Sequence, residues 1–303
     1  MTAERFQTRS AGDWPTVERR QAIMREAQVV SAHVRINFQH RSWQGTAGNW
    51  TGAGTGSSID FQDHRPYLPG DDPRYIDWAA YARSGHYIMK LYREEVSPRL
   101  ELIVDISRSM TAHPQRCERM LALAMFCVES AVSAGASVRV YAVSGSHWKF
   151  WRVSGLRAED WSCPEFETSG GVPDISLVPH MHGSMRIVIS DLLFPQPPAN
   201  LLRRLVSGRG RGVILCPWLE SEMNPDWNGN VEFVDSEDGT SRRQRVTQEV
   251  IDRYQTAYRQ HIGMWRDACR RFDVRMTRIA CDLPLKDSLQ AEAFTAGVIE
   301  AWN

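Results

Sequence analysis

Two hydroxyls and a carboxylate stand close together in the chain, at a spacing that suits one shared cation. The segment Arg99 to Met110, RLELIVDISRSM, is an apolar strand that leads directly into Asp105, Ser107 and Ser109. Alternate residues of an extended loop face the same side, so these three oxygen-bearing side chains converge. Because Mg²⁺ prefers oxygen ligands in near-octahedral geometry, the pattern D-x-S-x-S predicts a site for Mg²⁺ or Mn²⁺.

A second apolar run, RIVISDL, ends in the carboxylate of Asp191. Ligands of open parallel sheets bind outside the carboxyl ends of the strands, so Asp105 and Asp191 share a crevice if their strands are neighbours. The alternative is that Asp105 and Ser109 only cap the following helix, as Asp and Ser often do. That alternative does not account for Asp191 at a second strand end, and we therefore predict a divalent metal site.

The elements that must position these residues alternate from Arg99 onward. The sequence predicts strands at RLELIVDI, SVRVYAVS, KFWRVS, RIVISDL, GVILCPWL and DVRMTRIA. Helices are predicted at about 116–134, 200–206 and 247–272, a hairpin or irregular insert at 230–245, and a final helix through Trp302. Strands separated by helices indicate an α/β fold with a doubly wound, mostly parallel sheet and helices on both faces. The strand RLELIVD, apolar on both faces, is expected in the middle of that sheet.

Residues 1–98 are predicted to be an N-terminal extension, and residues 99–303 the α/β domain. The extension combines helical spacing of apolar residues at 16–40, a glycine-rich loop from Gly45 to Gly56, and a hairpin-like segment at 61–98. The hairpin-like segment contains the block GDDPRYIDW.

Composition excludes several classes of function. The formal net charge of the 303 residues is zero, so nothing attracts the chain globally to nucleic acid or to an anionic membrane. No stretch approaches the ~20 apolar residues of a membrane span. The six cysteines are dispersed without a C-x-x-C pair, which favours a reduced, cytoplasmic protein. We expect no integral membrane segment and no nucleic acid partner.

The four side chains of the predicted metal site together resemble the metal-ion-dependent adhesion site of von Willebrand factor A domains. In that family a threonine from an intervening loop completes the ligand set. The resemblance places this loop at ETSGGVPD, where Val172 stands near the family's ligand position. Thr168, Ser169 and Asp174 are candidate substitutes. A weak or partner-dependent metal site is therefore expected.

A longer block at residues 65–95, RPYLPGDDPRYIDWAAYARSGHYIMKLYREE, resembles the signature of the bacterial and archaeal "domain of unknown function 58" family. The matching residues are Arg65, Tyr67, Pro69, Gly70, Asp71, Arg74, Ile76, Asp77, Trp78, Ala82, Arg83, Glu94 and Glu95. The resemblance implies a von Willebrand factor A-like domain, a metal site, and association with MoxR-type AAA+ ATPases, whose genes commonly neighbour this family. It implies no catalytic reaction.

The centre of this block mixes acidic and basic residues around a tryptophan. Its members are Gly70, Asp71, Asp72, Arg74, Asp77 and Trp78. One interpretation is a structural ion-pair network, because partly buried charges usually satisfy one another. The other is a contact surface for a partner. We favour the ion-pair network.

Two functions remain open. The first is a non-catalytic adaptor with a metal-bearing crevice, working with a MoxR-type ATPase in complex assembly or maturation. The alternative is a Mg²⁺-dependent phosphohydrolase that uses Asp105 and Asp191. The phosphohydrolase lacks a D-x-D motif, because Ser107 occupies the second position, and no lysine lies nearby to clamp a phosphate. We favour the adaptor.

Overall fold

This computed structural model describes residues 14–38, 59–94, 98–153, 158–166, 172–237 and 239–301. They fall into two compact units, which are described separately: 14–38 with the described part of 98–301, and 59–94. The predicted glycine-rich loop lies outside the described residues.

The helices and strands are numbered in chain order. The helices are α1 (Val17–Ser31), α2 (Trp78–Ser84), α3 (Arg108–Ala112), α4 (Pro114–Ser133), α5 (Ala199–Val206), α6 (Glu220–Met223), α7 (Gln248–Arg271) and α8 (Leu285–Glu292). The strands are β1 (Val34–Ile36), β2 (Ile59–Pro66), β3 (Ile88–Glu94), β4 (Arg99–Asp105), β5 (Ser137–Ser144), β6 (His147–Trp151), β7 (Met185–Ile189), β8 (Arg211–Trp218), β9 (Gly229–Val234), β10 (Ser241–Val246), β11 (Arg275–Ala280) and β12 (Ile299–Ala301).

A six-stranded sheet in the order β11-β8-β7-β4-β5-β6 forms the centre of the first unit. Every neighbouring pair is parallel except β5 with β6, which is antiparallel. The prediction of a mostly parallel sheet is confirmed. The strand RLELIVD is β4, which pairs with β5 on one side and β7 on the other, so its predicted internal position is confirmed as well.

Both faces of the sheet are covered by helices, as the apolar strands require. Successive side chains of a strand point to opposite faces. Leu100, Leu102 and Val104 of β4 accordingly join one apolar core, which also contains buried residues of α1, α4 and α8. Ile103 joins a second core, built with α5 and α7. Helix α4 is buried around most of its circumference, which explains its nearly uninterrupted apolar sequence.

The two ends of the first unit meet in a small antiparallel pair, β1 with β12, in which Val34 lies opposite Ala301. The prediction of a final helix through Trp302 is therefore wrong: α8 ends at Glu292, and β12 follows. Helix α1 also packs with the sheet unit, where Arg19 forms an ion pair with Glu118 of α4 at 2.6 Å. Helix α1 and strand β1 thus belong to the same compact unit as the six-stranded sheet.

The second unit is the predicted hairpin, β2 paired antiparallel with β3, with a register shift between Phe61 and Asp63. Helix α2 lies between the two strands in sequence and ends at Ser84; Gly85 follows with a φ of +68°, which glycine readily adopts. Across the described parts of both units, no helix is long and apolar enough to cross a membrane.

Candidate functional site

The two carboxylates predicted from strand ends lie at the same edge of the sheet. Strands β4 and β7 are parallel neighbours, with Val104 opposite Ile189, so the loops that follow them start side by side. The Ser190 hydroxyl donates a hydrogen bond to Oδ2 of Asp105 at 2.7 Å. The loop that carries Asp191 is thereby joined to the end of β4.

The D-x-S-x-S segment, at the end of β4 and the start of α3, brings several of its polar atoms close together. Oδ1 of Asp105 accepts a hydrogen bond from the Ser107 amide at 2.9 Å. The hydroxyls of Ser107 and Ser109 lie 3.1 Å apart. Although Ser107 occupies the N-cap position of α3, its hydroxyl makes no capping bond to the described residues of that helix. Helix capping therefore does not explain the Ser107 hydroxyl.

Asp191 is held by an arginine that the sequence analysis did not identify. Arg116, in the first turn of α4, donates from Nη1 to Oδ2 of Asp191 at 2.9 Å and to the Ser109 carbonyl at 2.9 Å. The same guanidinium forms an ion pair through Nη2 with Glu222 of α6. The sequence does contain a signal for this contact. Arg116 lies at the start of an otherwise apolar, buried helix, and a charge there needs a buried counter-ion.

The backbone turn after Asp191 is strained and tightly held. Leu192 is buried and has a φ of +59°, a left-handed conformation that costs a non-glycine residue about 1–2 kcal/mol. His261 of α7 donates from Nε2 to the Leu192 carbonyl at 2.7 Å, and the Leu193 amide donates to Oδ1 of Asp191 at 3.0 Å. Such strain persists where surrounding contacts enforce it, often at functional sites.

An acidic side chain from a distant part of the chain reaches the same loop. Oε1 of Glu237, in the turn between β9 and β10, accepts a hydrogen bond from the Ser109 amide at 2.9 Å. The Glu237 carbonyl accepts a second bond from Arg108 at 3.3 Å. Trp227 packs against Phe233 of β9 and Tyr254 of α7, which anchors the hairpin. The sequence predicted a hairpin here but not its contact with the site.

Burial and like charge dominate the electrostatics of the site. Asp105 and Asp191 are only 2% and 3% exposed. Burial, and secondarily the neighbouring charge of Asp191, raise the pKa of Asp105 from 3.8 to about 7, against the opposing hydrogen bonds from Ser190 and Ser107. A cation beside Asp105 would relieve this penalty.

One pair of oxygens at this edge has a spacing compatible with a small hard cation. Ligands in adjacent octahedral positions around Mg²⁺, each about 2.1 Å from the ion, lie about 3 Å apart, close to the hydroxyl spacing of Ser107 and Ser109. Within the described ranges, no group of three or more His, Cys, Asp or Glu side chains is placed to hold a metal. An ion here would depend on hydroxyls as well as carboxylates, and it would compete with Arg116 for Asp191.

The loop expected to supply a further ligand is described only in part. Thr168 and Ser169 lie outside the described residues. Val172 packs against the second apolar core. The Asp174 amide donates to the Gly145 carbonyl at 2.8 Å, which places it beside the β5–β6 turn. Its carboxylate accepts from the amide of Ser176 at 2.9 Å and so serves a local turn.

Two acidic residues of the GDDPR segment are paired within the second unit. Asp71 forms a two-pronged ion pair with Arg65, with both N–O distances at 2.7 Å. This guanidinium lowers the pKa of the Asp71 carboxyl. Asp72 pairs with Arg74 at 2.6 Å. Gly70 supplies a φ of +106° just before them, a conformation that favours glycine.

Asp77 and Trp78 begin helix α2. Asp77 accepts from the amides of Ala79 and Ala80 and from Nε2 of His64 at 2.9 Å. The side chain of Trp78, by contrast, is 58% exposed and contacts the ring of Tyr81 edge-on. Asp71 and Asp72 are thus ion-paired, Asp77 caps helix α2 and bonds to His64, and Trp78 is open to solvent in its own unit.

Comparison with known proteins gives a family match and relatives without assigned activity. Residues 63–150 match the family described as "Protein of unknown function DUF58". Uncharacterized proteins of Mycobacterium tuberculosis (strain H37Rv) and Mycobacterium bovis are each 26% identical over 241 residues, covering 74% of this chain and 72% of the relative. The resemblance to this family alone is thus confirmed, over a stretch that includes the GDDPR block, β4 and Asp105.

Proposed function

We propose that this protein is a non-catalytic interaction module with a von Willebrand factor A-like fold, and that it docks partners at the carboxyl edge of its sheet. The observation that carries the proposal is the position of Glu237. An acidic side chain from a separate hairpin already rests on the Ser109 amide, beside the hydroxyls of Ser107 and Ser109. The site therefore accepts a carboxylate from an approaching surface.

In this proposal Asp105, Ser107 and Ser109 hold Mg²⁺ or Mn²⁺, and Asp191 contributes when it is released from Arg116. The bound ion supplies positive charge and an open coordination position for an incoming carboxylate. The Ser107 amide and the Ser190 hydroxyl orient Asp105. Because two of the three main ligands are neutral hydroxyls, we expect modest affinity.

In the proposed docking, a carboxylate of the partner replaces the carboxylate of Glu237. The carboxylates of the site are buried, and Glu237 already bonds to the loop, so the β9–β10 turn must yield to an incoming side chain. The proposed partner is the MoxR-type AAA+ ATPase implied by the family resemblance. The complex would serve assembly or maturation of other proteins in the cytoplasm.

Hydrogen bonds hold both aspartates of the site in place. Both oxygens of Asp105 accept hydrogen bonds, from Ser107 and Ser190. Both oxygens of Asp191 also accept, from Leu193 and Arg116. These bonds fix the orientation of both carboxylates, and each oxygen keeps a second lone pair for a cation.

The experiment is co-purification of the host's MoxR-type ATPase with the wild-type protein and with Asp105→Asn and Ser107→Ala, each checked for folding by circular dichroism. Glu232→Gln is the matched control, because Glu232 lies on the same hairpin as Glu237 but pairs with Arg243 on the surface. We expect capture by the wild type and the control in Mg²⁺, and loss of capture in chelator and in both site variants. Equal capture by all folded proteins in chelator would overturn the proposal.

A further inference from the structure

Arg116 places a fixed positive charge inside the proposed metal site. Its side chain is 5% exposed and that of Asp191 is 2% exposed, so the pair is removed from water. The guanidinium bonds to the Asp191 carboxylate and to the Ser109 carbonyl, and thus touches both loops that carry the proposed ligands. A buried carboxylate with its own counter-ion has less need of a metal.

We propose that Arg116 is an internal counter-ion that a divalent cation must displace from Asp191, and that it thereby sets the affinity of the site for metal. The inference rests on the proposed metal site. It adds a residue that binds no metal itself but determines how tightly the four oxygen ligands do. A weak, partner-dependent site follows, because the ion gains Asp191 only by breaking the Asp191–Arg116 pair.

Glu222 is a second ion-pair partner for the Arg116 guanidinium when it leaves Asp191. It forms an ion pair with Arg116, and its Oε2 accepts the Leu219 amide at 3.1 Å, which holds the carboxylate in position. Nε of Arg116 is buried and has no hydrogen-bond partner among the described residues, so the guanidinium does not use all of its donors in this arrangement. Arg116 can therefore leave Asp191 without becoming an unpaired buried charge, which would be costly.

The test is a calorimetric titration of the full chain with Mn²⁺, and each variant is compared with one at another residue of the same charge. Arg116→Gln frees Asp191, and we expect its affinity for Mn²⁺ to rise by about tenfold or more. Arg253→Gln is the control, because Arg253 is an exposed arginine of α7 that bonds to neither aspartate in the described structure. It removes one positive charge without releasing a ligand, so we expect a change below about threefold.

A second pair of variants tests the role of Glu222. Glu222→Gln removes the alternative partner of Arg116 and should lower Mn²⁺ affinity. Glu220→Gln, an exposed acid on the same short helix, should change it little. Equal losses in both would show that only the summed charge matters, and would overturn this part of the inference.

Arg116→Gln leaves buried carboxylates without a partner and so lowers stability, and Arg116→Lys is therefore measured in parallel. Lysine keeps the charge, but a single ammonium cannot bond to Asp191, Ser109 and Glu222 together, so a smaller gain in the same direction is expected. Asp105→Ala separates the two possible failures. If Asp105→Ala abolishes Mn²⁺ binding while both Arg116 variants bind Mn²⁺ like the wild type, the role of Arg116 is refuted and the metal site is retained. If Asp105→Ala leaves binding unchanged, or if no protein binds Mn²⁺, the metal site itself falls.

Discussion

Two buried charge clusters lie at opposite ends of the neighbouring strands β4 and β7, and they differ in how completely they are bonded. Near the start of the strands, Glu101 accepts from Arg186, Ser184 and the Met181 amide. All three nitrogens of the Arg186 guanidinium donate to the carboxylate or to backbone carbonyls. At the carboxyl edge, Arg116 leaves Nε without a partner among the described residues and is shared between Asp191 and Glu222.

The difference distinguishes a structural ion pair from an exchangeable one. A fully bonded buried network fixes one arrangement, because any movement would leave a polar group unpaired. An arginine shared between two carboxylates has an alternative arrangement at low cost. The Glu101–Arg186 pair thus has the bonding of a structural ion pair, and the Arg116 cluster is the one that we propose takes part in binding.

The largest expected effect is a loss of stability when the Glu101–Arg186 pair is broken. Glu101→Gln leaves the Arg186 charge buried without a counter-ion, and such a loss costs about 3–5 kcal/mol. We expect that decrease in the free energy of unfolding, measured by urea denaturation. Mn²⁺ affinity of the folded fraction should be unchanged, since the pair lies at the opposite end of the strands. A decrease under about 1 kcal/mol would remove the basis for calling this pair structural.

The next effect is a pH dependence that comes from Asp105. Its pKa is about 7 in the folded protein and 3.8 ordinarily, so the folded chain keeps a proton that the unfolded chain releases. The stability due to this group is complete below its ordinary pKa and is lost as the pH rises through 7. Asp105→Asn cannot ionise, so in chelator above pH 7 it should be more stable than wild type, by up to about 4 kcal/mol.

Urea denaturation of both proteins from pH 4 to pH 8 checks this expectation. Mg²⁺ should flatten the wild-type profile, because a cation stabilises the ionised carboxylate. Parallel profiles for the two proteins in chelator would mean that Asp105 is ionised throughout, and that the carboxyl edge carries no electrostatic penalty for a metal to relieve.

A smaller effect is expected at the hairpin contact. Glu237→Ala removes a charge-assisted hydrogen bond to the Ser109 amide, worth about 1 kcal/mol at a partly exposed position. We expect faster hydrogen exchange at the Ser109 amide and stronger metal-dependent capture of the ATPase, since the internal carboxylate no longer competes. Glu232→Ala on the same hairpin should do neither. Unchanged exchange at Ser109 would show that Glu237 does not cover the site in solution.

The smallest expected effect concerns the second unit. Trp78 is exposed, so Trp78→Ala should change the free energy of unfolding by less than about 0.5 kcal/mol. It should also leave ATPase capture intact if the carboxyl edge is the docking centre. Capture that is lost in Trp78→Ala but retained in Ser107→Ala would move the docking site to the GDDPR block.

Local sequence patterns predicted the features that depend on neighbouring residues. Apolar runs located β4 and β7, and the residues after them located Asp105 and Asp191, because strand ends in a parallel sheet share an edge. The pairing of β1 with β12 joins residues about 265 apart in the chain and leaves no local pattern, so the carboxyl terminus was assigned to a helix instead.

The sequence did not predict which residues contact the site, because they are also far apart in the chain. Glu222 and Glu237 come from separate elements, and only the packing of α6 and the β9–β10 hairpin brings them to the loop. The sequence did indicate that Arg116 has a buried partner, since a charge in the first turn of a buried helix requires an opposite charge nearby.

The most direct test of the account is an anomalous diffraction measurement on a crystal of the wild-type protein grown in Mn²⁺. We expect one peak about 2 Å from the oxygens of Asp105, Ser107 and Ser109, with the Arg116 guanidinium moved from Asp191 toward Glu222. A crystal at saturating Mn²⁺ with no peak at this edge, and with Arg116 still bonded to Asp191, would contradict it.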